Sequence, residues 1–326
     1  MAEIDLSGQV VIVSGGGRRL GRMHCRSLAA AGASVVVNDV DEGPAARVVE
    51  EIESVGGRAA MAIASVMTRD GAQSIVNVAV ETFGTVDVVV NNAGFMRSAF
   101  FEDLTEEMFQ EVMVVHVGGS FHLSQAAWPI LKQKGYGRIV MTSSAGGMFA
   151  TKGEANYAAA KAGLYGFTRA LSFEGENHGI KVNCILPHGN PLSDDNRGMD
   201  ADENKEWHLK NWDVPEAQKY LDKELLASFA RRKASMVSPM LVYLSSRSCA
   251  VSGEAFAAGF GRYARVFVGE TFGWSSEGEA ATPADIARNL EAIRSTEEFA
   301  IPSDMYEEMR FLGRGDGADS SSDRKK

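Results

Sequence analysis

Cysteine is scarce in this chain: Cys25, Cys184 and Cys249 are the only three among 326 residues. They lie far apart and form no Cys-x-x-Cys spacing, which argues against a disulfide scaffold and for free thiols in a reducing compartment. Long apolar runs are missing too, since none approaches the roughly 20 residues that a bilayer-spanning helix needs. A basic excess is also lacking. With 33 Lys and Arg against 43 Asp and Glu the formal net charge is −10, which argues against nucleic acid and anionic membrane surfaces as partners. The opening Met1-Ala2-Glu3-Ile4-Asp5 carries no basic stretch followed by an apolar one, so no secretory signal is expected. No internal repeat is visible and no metal site is expected. These absences predict a soluble, cytoplasmic protein whose 45% hydrophobic content can bury a large core.

What is present is alternation. Short β-branched runs at 10–13, 34–38, 58–64, 86–90, 137–142 and 180–185 alternate with helical patterns at 20–31, 43–55, 69–83, 105–133 and 155–177. Val35-Val36-Val37 and Val88-Val89-Val90 are apolar throughout, as strands covered on both faces should be. The order predicts an α/β fold, a Rossmann-type doubly wound parallel sheet. A further helix at 236–246 and a strand near 254–258 bring the sheet to about seven strands. Between them, residues 188–235 form a polar, acidic insertion that carries Trp207 and Trp212 and reads as a lid over the substrate. The catalytic domain is expected over 1–260, a C-terminal extension packed on it over 261–311, and a disordered tail over 312–326.

Two clusters carry the chemistry. The turn Gly15-Gly16-Gly17-Arg18-Arg19-Leu20-Gly21 follows the first strand and precedes a helix, where a nucleotide pyrophosphate meets a helix N-terminus. Tyr157 and Lys161 stand i, i+4 apart and share one helix face. A phenol titrates near 10 when unperturbed, and an adjacent ammonium lowers that value toward the range useful to a general base. Ser144 offers a hydroxyl to hold a substrate oxygen beside the phenol. A dinucleotide site at one end and a proton-moving pair in the middle describe a hydride-transfer enzyme. Asp39 ends the second strand, 24 positions after Gly15, where a carboxylate can bind the adenine ribose and repel a 2′-phosphate. NAD is therefore the expected cofactor, although Arg18 and Arg19 pull toward NADP.

Over about residues 6–260 these motifs resemble the short-chain dehydrogenase/reductase family. The resemblance is carried by Gly15 to Gly21, by Asn91-Asn92-Ala93-Gly94 after the fourth strand, by Ser144 thirteen positions before Tyr157, and by Lys161. The stretch from Phe83 to Ala162, with Trp128 and Tyr136-Gly137-Arg138, is most similar to the D-3-hydroxyacyl-CoA dehydrogenase branch, peroxisomal and bacterial. The resemblance implies cofactor contacts from Gly15, Arg18, Arg19, Leu20, Gly21, Asp39, Ser65, Val66, Asn92, Ala93, Gly94 and Pro187, with Tyr157 and Lys161 at the reacting end. It implies Ser144, Tyr157 and Lys161 as catalytic groups, with His116 standing where the family has a helix asparagine of the proton relay. Three departures accompany it: Arg19 and Ser65 replace a usual glycine and aspartate, and Pro187-His188 replaces Pro-Gly.

Met148, Phe149, Phe95 and Met96 near the motifs suggest a large apolar substrate. A 3-hydroxyacyl-CoA would also call for cations to meet its phosphates, for which Arg97, Arg231, Arg232 and Lys233 are the candidates. A hydroxysteroid would need none. A catalytically silent dinucleotide-binding regulator is the reading from another class. The apolar surface of the helices at 105–133 and 155–177, together with the family's habit, predicts a homodimer or homotetramer.

Overall fold

The structure, a computed structural model, describes residues 4–189, 233–276 and 280–312. Most of the expected lid, with Trp207, Trp212, Arg231 and Arg232, and all of the expected tail beyond Leu312 lie outside the described residues.

The apolar runs form the strands expected of them. β1 (Val10–Val13), β2 (Ser34–Asp39), β3 (Arg58–Ile63), β4 (Val88–Asn91), β5 (Gly137–Thr142), β6 (Ile180–His188) and β7 (Ala255–Gly259) pair in parallel. The sheet runs β3-β2-β1-β4-β5-β6-β7-β8. An eighth strand, β8 (Arg262–Val266), therefore joins the edge of the seven expected ones. It follows a turn in which Phe260 and Gly261 both take positive φ, 56° and 75°.

Alternation along each strand sends odd and even positions to opposite faces. Val11, Val13, Val35, Val37, Val88 and Val90 pack into one core with Cys25 and Leu28 of α1 (Arg19–Ala30) and Val48 and Ile52 of α2 (Glu42–Glu53). Leu241 and Leu244 of the helix Ser238–Ser245 complete that layer. The intervening residues Ile12, Val36 and Val89 are equally buried, and so are Ile75 of α3 (Arg69–Phe83) and Leu123 of α5 (Gly119–Lys134). Each such aliphatic side chain contributes about 1.5–3 kcal/mol when fully removed from water.

The helix expected over 105–133 is divided. α4 (Glu106–Met113), capped by Thr105, passes into a π-helical turn, Val114–Gly118, before α5 begins. A π-turn inserts one extra residue and rotates the helix beyond it, and such turns concentrate at functional sites. His116 lies inside it. Beyond β5 come the single-turn helix α6 (Ala145–Met148) and the long α7 (Ala155–Glu176).

The chain forms two compact units, Met1–Arg265 and Val266–Lys326. β8 thus carries the first unit past residue 260. In the second, Glu270–Thr271 pairs antiparallel with Phe299–Ala300, the rings of Phe267 and Phe299 stack at 5.9 Å, and Thr282 and Asp285 form a capping box on a short helix. Among the described residues no helix is long and apolar enough to cross a membrane.

One buried charge ties the two halves of the sheet. Asp87 has no solvent exposure, accepts the Val10 N–H at 2.9 Å, and pairs with the ammonium of Lys134 at the end of α5. Removing one member of a buried pair strands the other charge, which costs more than the pair itself contributes. Lys134→Met should therefore lower unfolding free energy by about 2 kcal/mol or more in a denaturant titration, and adding Asp87→Asn should recover part of it. A loss below about 0.5 kcal/mol would place this pair with ordinary surface ion pairs.

Candidate active site

The sheet order reverses between β1 and β4, the switch point at which open α/β sheets form a crevice beyond the carboxyl ends of their strands. Gly15 leaves β1 there and Asn92 leaves β4, and two side chains fasten the loops together. Ser14 Oγ accepts the N–H groups of Asn92 and Ala93 at 3.0 and 3.1 Å. The Asn92 amide donates to the carbonyls of Ser14 and Gly15 at 2.9 and 3.2 Å. Asn92 is therefore the clamp of the glycine turn as well as part of the cleft wall.

The turn has no room for other residues at its contact points. Gly15 takes φ +63°, and a Cβ on Gly21 would sit 2.0 Å from the Gly15 carbonyl oxygen. Arg18 enters α1 in extended conformation without a side-chain cap, so the helix presents its first N–H groups to the crevice. A cleft of about 570 Å³ opens here. Its lining brings together Gly15, Arg18, Arg19, Leu20, Gly21, Asp39, Ser65, Val66, Asn92, Ala93 and Gly94, eleven of the fourteen positions expected to hold a cofactor. A dinucleotide fits this cradle of glycines, bare helix N-terminus and strand-end carboxylate.

Asp39 is 8% exposed, and its two oxygens accept the N–H groups of Gly17 at 3.2 Å and Asp41 at 3.1 Å. A Cβ on Gly17 would stand 2.7 Å from that carboxylate. The aspartate thus anchors the glycine turn to β2 while facing the cleft, so it is not a solvated strand-end acid. Arg18, the basic residue that favoured a 2′-phosphate, is paired with Asp41 at 2.7 Å.

The groups expected to react come from the end of β5 and from α7. Ser144 follows β5 and caps α6, its hydroxyl accepting the Gly146 N–H at 3.1 Å. Tyr157 and Lys161 stand one turn apart on α7, with the Lys161 ammonium 5.6 Å from the centre of the Tyr157 ring. Lys161 is 4% exposed and donates to the Thr142 carbonyl at 2.5 Å. Burial draws its ammonium down to about 8. Burial pushes the Tyr157 phenol up from its usual value, against a lowering hydrogen bond from Ser144 and with a raising charge at Glu154. This direction is opposite to that expected from the i, i+4 spacing. Desolvation of the phenolate outweighs any help from the lysine, whose own ammonium is drawn down by burial.

His116 is 2% exposed and stands edge-on to Tyr157, the ring centres 5.4 Å apart. Its Nε2 lies 2.8 Å from the Phe95 carbonyl, which can only accept, so Nε2 carries the hydrogen and Nδ1 is left as a buried acceptor with no partner among the described residues. Burial lowers this imidazole to about 3, so it is neutral at any physiological pH.

Residues 9–198 match the short chain dehydrogenase family. The chain is a member of that family. It is 40% identical, over 57% of its length, to the peroxisomal hydratase-dehydrogenase-epimerase of Neurospora crassa, and 33% identical, over 93%, to peroxisomal multifunctional enzyme type 2 of Mus musculus. It spans only 20% and 39% of those two proteins. The crystal structure of a short chain dehydrogenase from Mycobacterium avium superposes with a TM-score of 0.72 at 30% identity, covering 89% of this chain and 97% of the other.

The departures of this short-chain dehydrogenase from the family pattern have visible consequences. Arg19 takes φ +49°, the left-handed region in which glycine is favoured, so the usual glycine reflects backbone geometry and the arginine carries strain. Pro187 and His188 continue β6 and pair with Ala258 and Gly259 of β7. Neither lines the described cleft, and a Cβ on Gly259 would meet His188 at 2.5–2.6 Å. Arg97, expected as a phosphate ligand, instead pairs with Glu111 at 2.9 Å and lies over the Phe95 ring. Phe149 is 72% exposed and is not a core residue.

Three contributors escaped the motif reading. Ser14 fastens the two loops. Asn156, fully buried, donates to the carbonyls of Arg97 and Met108 and accepts the Tyr157 N–H at 2.8 Å. Glu154 is a buried acid three residues before Tyr157. The signal for the last two was adjacency to Tyr157, a polar residue one position and another three positions ahead of it.

The tightest contact in the site is between Gly94 and His116, where a Cβ would stand 1.9 Å from Cε1 of the imidazole. Gly94→Ala should cost about 1–3 kcal/mol of stability by overpacking, and His116→Ala in the same chain should restore most of it. Thermal unfolding of the two single variants and the double variant measures this. A Gly94→Ala protein as stable as the wild type would show that the ring is not held against the cleft floor.

Proposed function

We propose that this protein is an NAD-dependent oxidoreductase that interconverts a bulky apolar secondary alcohol and its ketone, of the 3-hydroxyacyl-CoA type. What supports the reading is the Ser144, Tyr157 and Lys161 set, linked to the glycine-built cleft through His116, which packs against Gly94 of the cleft lining and stands edge-on to Tyr157. The nicotinamide dinucleotide, when bound, supplies hydride exchange. Tyr157 takes the hydroxyl proton in oxidation and returns it in reduction. Ser144, hydrogen-bonded to the phenol, holds the reacting oxygen and stabilises charge that develops on it. Lys161, fixed by Thr142, faces the ring of Tyr157 and would hold the cofactor ribose. Neutral His116, edge-on to the phenol, helps to keep its ring in place.

The acyl-CoA class is supported by the names of the peroxisomal relatives and by the exposed apolar residues Met96 and Phe149. A hydroxysteroid is the second reading. The neutralisation of Arg97 by Glu111 favours it, because that removes a cation from those available to a CoA phosphate. The three buried free thiols suit a reducing compartment such as the cytoplasm. Phe121 on α5 and Phe173 on α7 stand 42% and 49% exposed, which supports a homodimer or homotetramer.

Asp39 decides the cofactor in this reading, because its carboxylate faces the cleft while Arg18 is held by Asp41. NAD should bind at least about tenfold tighter than NADP, or roughly 1.4 kcal/mol. Asp39→Asn, which keeps the shape and removes the charge, should narrow the gap. Calorimetric titration of both dinucleotides checks it. Equal or tighter binding of NADP by the wild type would sink the assignment and make Arg18 and Arg19 phosphate ligands.

A further inference from the structure

Glu154 is the one buried acid next to the reacting groups that the proposed chemistry does not use. It is 5% exposed, and among the described residues no cation pairs with its carboxyl. Its position relative to the catalytic pair can be read at Gly146. A Cβ there would meet Glu154 Oε2 at 3.3 Å, Tyr157 Cε1 at 3.5 Å and Ser144 Oγ at 3.6 Å. The carboxyl, the phenol ring and the serine hydroxyl therefore surround one point, on a residue too small to screen them from each other. α7 begins immediately after Glu154, without a side-chain cap, so the carboxyl is not committed to the helix end.

We propose that Glu154 is a positioning residue whose carboxylate holds the proton on Tyr157 and so sets the pH window in which this site oxidises an alcohol. The proposal rests on the assignment of Tyr157 as the proton-transfer group. The physical reason is Coulombic. A carboxylate beside a phenol in a water-poor site disfavours a second negative charge, so phenolate formation is displaced to higher pH.

Burial, the one cause acting on Glu154, pushes its carboxyl up to about 7. Its charge therefore appears as pH rises through neutrality and is in place before the alkaline range in which the phenol, already raised by burial, loses its proton. The other groups facing this corner do not cancel it. Lys161 on α7, drawn down to about 8, loses its charge as pH rises toward the range in which the phenol ionises, His116 in the π-turn is neutral, and Arg97 is paired with Glu111 of α4. The consequence is a phenol whose ionisation, already raised by burial, is displaced further into alkaline pH. It is then ready to donate to a ketone, and alcohol oxidation is moved toward alkaline conditions.

The test separates charge from shape. The tyrosinate absorbance of Tyr157 is obtained as the difference between wild type and Tyr157→Phe over alkaline pH, then again with Glu154→Gln, Glu154→Met or Glu154→Asp present in both proteins. The Gln and Met substitutions should each lower the Tyr157 midpoint by about one pH unit, and Asp should hold it nearer the wild-type value. The alkaline limb of kcat/KM for NAD-dependent oxidation should move down with it. An unchanged midpoint in Glu154→Gln, or a shift in Asp equal to that in Gln, would overturn the proposal. A shifted midpoint in a protein that oxidises no alcohol would keep the Glu154–Tyr157 coupling and overturn the functional reading together with the pH window drawn from it.

Discussion

The join between β1 and β4 is the constraint on which the rest depends. Strand order reverses there, so no crossover helix covers the two strand ends, and beyond the Ser14 N–H to Val90 carbonyl bond their loops are tied by side chains. Ser14 and Asn92 make that tie with four hydrogen bonds between two adjacent loops. It holds the Gly15 turn against Ala93 and Gly94. Gly94 in turn leaves the space that His116 fills, and His116 stands against the ring of Tyr157. The cofactor cleft and the proton-transfer residue are thus linked through contacts that tolerate no extra methyl group. Rigidity of this kind keeps a catalytic group within the fraction of an ångström that chemistry requires.

Around Tyr157 every shifted group moves the same way. Burial pushes the Tyr157 phenol and the Glu154 carboxyl up, and draws His116 and Lys161 down. In each case the neutral form is favoured, as expected where water is scarce and partners are few. Such a site resists resting charge, and any charge that does form there interacts strongly with its neighbours. That gives Ser144 its value, since its hydroxyl is the group beside the phenol that can donate a hydrogen bond and stabilise an anion without carrying a net charge.

Much of this was readable from residues alone, and the parts that were not have physical reasons. Val35-Val36-Val37 and Val88-Val89-Val90 announced buried strands because only a parallel sheet covered on both faces needs such runs. The turn from Gly15 to Gly21 and the Tyr157–Lys161 pair were visible because their chemistry requires fixed spacings. β8 was not, since four of its five residues are exposed and lack an apolar pattern. The π-turn holding His116 left no mark because one inserted residue barely disturbs helical periodicity over a long segment. The direction of the Tyr157 shift was missed because spacing reports the neighbour and says nothing of desolvation. Asp39 and Asn92 were each given a single role, whereas a buried polar side chain must satisfy several groups at once.

The central claim is that Tyr157 handles the proton on a scaffold that binds the dinucleotide without its help. Tyr157→Phe keeps the ring against His116 and removes only the hydroxyl, so its effect on chemistry can be separated from its effect on binding. Single-turnover oxidation of a 3-hydroxyacyl-CoA or hydroxysteroid substrate, measured beside NAD affinity, is the most direct test. The account predicts that the chemical step falls by at least about 10²-fold while NAD affinity changes by less than about twofold. A variant that retains more than about a tenth of the wild-type rate, with chemistry limiting, would contradict it.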